Sequence, residues 1–146
     1  MTQEAVMNDL DKSDIESVCK DILRAFQGVL SWEWDSRFET VMAGFSVDKK
    51  DSVNEILDRY FNIAWDTSNI KEAPIVVQAI DKYFGGMRSG QLLFNTHPNQ
   101  EAFIFCAWWP WGNGDNISIR IAPFDKRLSD TEEDELVERL KGWAGV

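Results

Sequence analysis

The sequence predicts an α+β domain: a three-stranded antiparallel meander over about 91–122, packed with about four helices. Three observations predict it. Apolar-rich runs at 91–96, 102–109 and 116–122 are joined by links of only a few residues, and links that short force antiparallel pairing. Segments 13–27, 51–65 and 74–84 carry apolar residues at helical spacing. The helices precede the meander and one follows it, an order that suits α+β architecture and not a βαβ alternation.

Residues 1–12 are polar and are expected to fray, which leaves 13–146 as a single domain. Ser13 and Glu16 have the spacing of a capping box, in which the serine caps a helix and the glutamate reaches back. Ile15, Val18, Cys19, Ile22, Leu23 and Phe26 then follow the helical period up to Gly28. Residues 30–47 read two ways. Trp32, Trp34, Phe38, Thr40 and Met42 fit alternation with one slip, whereas Phe38, Val41, Met42 and Phe45, with Ser36 and Glu39 as another capping box, fit a helix. The density of tryptophan, phenylalanine, threonine and valine favours extended structure, so an extra strand or hairpin is expected near 31–46.

Ser52 and Glu55 make a third capping box, and Val53, Ile56, Leu57, Tyr60, Phe61 and Ala64 continue a helix over about 51–65. Asp66-Thr67-Ser68-Asn69 breaks it. Pro74 suits a first helical turn. Ile75, Val76, Ala79, Ile80, Tyr83 and Phe84 make the next stripe, which Gly85-Gly86 ends. In the third strand of the meander Ile117, Ile119 and Ile121 share one face, Ser118 and Arg120 the other, and Pro123 is expected to stop it. A last helix over about 130–142 is capped by Ser129 with Glu132, with acids near its start and Arg139 and Lys141 near its end, as the helix dipole prefers.

Composition narrows the function classes. The chain has 146 residues, 44% hydrophobic and 27% charged, enough for one domain with its own core. Its 25 acidic and 15 basic residues give a net charge of -10. The basic residues sit beside acids, as in Asp48-Lys49-Lys50-Asp51, so nucleic acid is not the expected partner. No apolar stretch approaches the ~20 residues of a membrane span, and the first residues lack the apolar run of a signal peptide. A cytoplasmic protein with no membrane partner is the expectation. Cys19 and Cys106 are far apart, fall at core-type positions, and are expected to be small buried hydrophobes without metal or disulfide.

Candidate chemistry is sparse. His97 stands alone in a proline turn, away from any nucleophile motif. Gly85 to Gln91 runs from helix to strand, the reverse of a phosphate loop, though Arg88 there can meet an anion. Glu33 and Asp35, set among tryptophans, are the nearest approach to a carboxylate pair. These features predict no catalytic residue, no metal site, no cofactor and no enzyme. Two features suit protein binding. Trp108, Trp109 and Trp111 run into a glycine-asparagine loop at 110–115, where Trp111 has the best claim to exposure and Asp115 lies beside it. Asp130, Glu132, Glu133 and Asp134 form the densest acidic run. Tryptophans are enriched at binding hot spots, and an acidic surface speeds association with basic proteins. The expected function is a small acidic protein-binding module, an inhibitor or immunity-type protein of the sort bacteria use to occlude a toxin or effector. The alternatives are a chaperone or adaptor for an exported protein, and a ligand-binding domain or enzyme with a tryptophan-lined pocket.

Overall fold

The computed structural model describes residues 12–96 and 101–146. The elements run α1 (Lys12–Ala25), β1 (Glu33–Asp35), β2 (Thr40–Ser46), α2 (Lys50–Tyr60), β3 (Ile63–Trp65), α3 (Ile75–Tyr83), β4 (Leu92–Asn95), β5 (Ala102–Pro110), β6 (Asn116–Asp125) and α4 (Asp130–Ala144). Among the described residues the strands form one antiparallel sheet of six, in the order β1-β2-β6-β5-β4-β3. The α+β class is as expected, but three strands were too few. The expected meander, β4-β5-β6, is the middle of a larger sheet: the β1–β2 hairpin extends it on one side and β3 on the other. The expected fraying of residues 1–12 lies outside the described residues except at Lys12, which is helical, and His97 also lies outside them.

The third added strand comes from a sequence that reads as helix. α2 stops at Tyr60, because Phe61 turns extended (φ -108°, ψ 117°) and buries its ring against Phe94. Ile63, Ala64 and Trp65 then pair with Asn95, Phe94 and Leu93, and Trp65 Nε1 donates to Asn95 Oδ1 at 2.7 Å. The hydrogen bonds offered by the bare edge of β4 outweigh a helical stripe whose last member, Ala64, has little to bury. Two further expectations are corrected. α2 is not capped by Ser52: a 3₁₀ turn at Val47–Lys49 leads into it, and Ser46 Oγ accepts from Asp48 N. Nor does Pro123 stop β6, which runs on to Asp125. Ile104, its partner on β5, directs its N–H and C=O to Thr96 on the other side. Pro123 therefore sits at a non-hydrogen-bonded pair, and its nitrogen faces the side where β2 pairs β6 only as far as Ile121, so no ladder bond is lost.

Alternation sorts the side chains by face, since directly paired residues share one. Val41, Ala43, Phe45, Ile117, Ile119, Ile121, Ile104, Cys106, Trp108 and Phe94 lie on the first face. Helices α1 and α2 cover it with Cys19, Ile22, Phe26, Val53 and Leu57, all fully buried. Helix α4 lies beside α1 and against β2, where Lys141 approaches the Trp34 ring at 5.0 Å. The second face carries Asp35, Arg120, Trp109, Phe105, Ala122 and Phe124. Here α3 covers part of the sheet, with Phe84 packed on Phe105 and Trp109. Gly85 and Gly86 (φ +94° and +87°) end α3 in left-handed turns that glycine adopts without strain.

Candidate functional site

The second face is only partly roofed, and the uncovered part is a cleft of about 420 Å³ between α3 and α4. Its floor is Phe105, Ala122 and Phe124 of the central strands. One wall is Ala79, Ile80 and Tyr83 of α3, the other Leu136, Val137 and Leu140 of α4. Phe38, from the turn between β1 and β2, closes one end. Its ring meets Tyr83, Phe84 and Trp109 edge to face, and Tyr83 Oη donates to Phe38 O at 2.8 Å. Burial, then the nearby carboxylates of Glu39 and Asp35, hold the Tyr83 hydroxyl above its ordinary pKa, so it stays a donor well into alkaline pH.

Carboxylates rim this apolar space. Glu39, Glu133 and Asp134 line it, are solvent-exposed, and have no ion-pair partner among the described residues. Asp125, at the base, is buried and held by Arg127 through Nε (2.9 Å) and Nη2 (3.0 Å), which anchors the turn into α4. The expected capping box sets the pitch of α4: Ser129 Oγ accepts from Glu132 N, and Glu132 Oε1 accepts from Ser129 N. With Glu132 committed to the cap, the next two acids face the cleft. Asp130 is exposed in the same turn but does not line it.

The expected aromatic and acidic surfaces do not meet. Trp111 and Asp115 lie in the loop before β6, the acidic run begins after β6 ends, and ten residues of strand separate them by about 30 Å. Trp111 is 49% exposed, but its ring lies on the sheet against Gly44, where a Cβ added to that glycine would stand 3.5 Å from Cζ2. The main chain of Asp115 accepts from Val47 N, and its side chain is exposed. Trp109 is half-buried beneath Arg120, whose guanidinium lies 4.2 Å from the ring centre. Trp108 is 4% exposed, wedged between Phe45 and Phe94, and belongs to the core.

The remaining candidates are structural in their contacts. Asp35 is buried and bonded to Arg120, while Glu33 is exposed on the outermost strand, so the two carboxylates do not act as a pair. Cys19 and Cys106 are buried free thiols, and burial pushes Cys19 up to about 12 and Cys106 higher still. A second cleft, of about 610 Å³, opens between Lys50 and Asn54 of α2, the 66–68 loop and β6. It reaches Trp108, but that ring is only 4% exposed, too little for a sugar to stack on. Ser68 donates to the Asp66 carboxylate there from both Oγ and N, which lowers its pKa.

Apart from Glu133 and Asp134 of the acidic run, the residues that build the α3–α4 cleft were not singled out in the sequence. One signal pointed to them. Ile75, Ala79 and Tyr83 stand four apart on α3, yet the residues that bury are Val77 and Ile80. Tyr83, 53% exposed, lines the cleft, and Ile75, 84% exposed, lies outside it on another groove of α3. A short helix apolar on two faces has more apolar surface than the core takes up. No family model, curated protein or solved structure matches the chain.

Proposed function

We propose that this protein is a protein-binding module of the inhibitor type and that the α3–α4 cleft is its docking surface. The observation that carries the reading is the pairing of an open apolar cleft with three carboxylates at its rim, Glu39, Glu133 and Asp134, that have no ion-pair partner among the described residues. An apolar centre inside a charged rim is the usual anatomy of a protein interface. With a net charge of -10, the rim favours a basic partner, drawn in by long-range attraction and held by apolar contact. That chemistry suits occlusion of a basic toxin or effector. Among the described residues no helix is long and apolar enough to cross a membrane.

A chaperone or adaptor for an exported protein is the second reading, and the exposed Ile75–Ala79–Tyr83 stripe favours it, since such a protein shelters an apolar segment of its client. Co-purification from the native host tests the docking surface common to both. A specific partner that is retained by Trp111→Ala and lost with Val137→Arg supports it. A partner that Val137→Arg leaves bound and Trp111→Ala releases contradicts it. Titration calorimetry then separates the two readings: an inhibitor binds the folded partner, a chaperone only an isolated segment of it.

A further inference from the structure

We infer that the element of the partner that enters the cleft is a basic amphipathic α-helix, an inference that rests on the docking reading above. The first argument is where backbone hydrogen bonds can go. On the floor, Phe105 of β5 is paired on both sides, while β6 pairs β5 throughout but meets β2 only over Asn116–Ile121, and beyond that Pro123 offers no N–H; the walls are helices whose backbone groups bond internally. At the closed end Phe38 O already accepts from Tyr83. An extended segment in the cleft would bury N–H and C=O groups against apolar side chains, at about 1–3 kcal/mol for each group left unpaired. A helix satisfies its own backbone. Strand addition has little to grip elsewhere, because the edge strands β1 and β3 are three residues each.

Length and shape agree. The walls are helical on both sides, Ala79 to Tyr83 of α3 and Glu133 to Leu140 of α4, and the eight residues from Glu133 to Leu140 rise about 10.5 Å, the span of side chains at i, i+3, i+4 and i+7 of an incoming helix. Ala79, the smallest side chain of the α3 wall, allows two helix axes to approach closely there, beside Ile80 and Tyr83.

Charge selects the occupant. Glu39 stands beside Phe38 at the closed end of the cleft and Glu133 and Asp134 on its α4 wall, so lysine or arginine beside the incoming apolar stripe meets a carboxylate at that end and along α4. A second copy of this chain would bring a net charge of -10 to the same rim. The chain's own residues 1–11 carry Glu4, Asp9 and Asp11 and neither lysine nor arginine, the wrong sign for this site.

Calorimetry at physiological salt with three synthetic peptides tests the inference on the full chain. The first places leucine at i, i+3, i+4 and i+7 with lysine on the flanks, the second has the same composition in strict alternation, and the third is the first with glutamate for lysine. The helical lysine peptide is expected to bind at least tenfold more tightly than the other two. Val137→Arg and the pair Glu133→Lys with Asp134→Lys should each weaken it at least tenfold, while Asp51→Lys with Asp58→Lys, an equal charge change on α2, should not. Circular dichroism confirms that each variant is folded. If the alternating peptide binds best and the cleft variants abolish it, the helix inference is overturned and the docking reading stands. If the cleft variants have no more effect than the α2 pair, both fall. A dimer of this chain that Val137→Arg dissociates assigns the cleft to a second copy and overturns the inference.

Discussion

Arg120 donates from Nε to Asp35 Oδ2 at 2.6 Å, reaching from β6 past β2 to β1, while its guanidinium lies over the Trp109 ring. Nη1 also donates to Ser118 Oγ at 3.0 Å, and Arg37 N donates to Asp35 Oδ1. One side chain thus ties the outer hairpin to the centre of the sheet and sets the tryptophan beside Phe38, which closes the cleft. Removing one partner of a buried pair leaves the other charge uncompensated, at about 3–5 kcal/mol. Asp35→Ala is therefore expected to lower unfolding stability by about 3 kcal/mol in urea titration. Arg120→Met in the same chain should recover part of that loss, and strictly additive single losses would mean the pair is not coupled.

The tryptophans should separate cleanly by stability. Trp108→Ala opens a large hole between Phe45 and Phe94 and should cost about 3–5 kcal/mol. Trp111→Ala removes a half-exposed ring that rests on Gly44, and about 1 kcal/mol or less is expected. Urea unfolding of the two variants checks the contrast.

Glu39 adopts φ +53°, a left-handed backbone that costs an L-residue about 1–2 kcal/mol. It also lines the cleft. Glu39→Gly should therefore raise stability by about 0.5–1 kcal/mol and weaken binding of a basic helical peptide. Thermal unfolding and calorimetry on the same sample read both. A gain in stability with unchanged affinity would remove Glu39 from the docking surface.

The thiols give a pH dependence. The Cys19 thiol ionises near 9 when unfolded and at about 12 when folded. The folded state thus holds a proton that the unfolded state releases, and stability falls as pH rises from about 9 towards 12. Cys106 is shifted the same way. Chemical denaturation at pH 8 and pH 10 should show the loss, and Cys19→Ala should reduce it. Neither thiol should react with an alkylating reagent until the chain unfolds.

How much was legible follows the range of each signal. Ser129 and Glu132 announce the α4 cap three residues apart, and the structure has that cap. Alternation placed Ile117, Ile119 and Ile121 opposite Ser118 and Arg120, because strand periodicity needs no knowledge of neighbours. Ile63–Trp65 defeated the same reasoning: their strand exists only because β4 offers an edge far along the chain. The cleft was hidden for a related reason. Tyr83 is bonded to Phe38, 45 residues away, and Phe124 and Val137 reach the site from separate elements. The acids at 133 and 134 were visible as a run, but local sequence does not say which aromatic residues will stand beside them.

The most direct test of the docking surface is a photo-crosslinker placed at Val137 in the cleft and, separately, at Asp115 beside Trp111, each expressed in the native cell. One prominent basic protein should be cross-linked from position 137 and none from position 115. Cross-linking to a protein from position 115, with position 137 silent, would contradict the cleft as the docking surface.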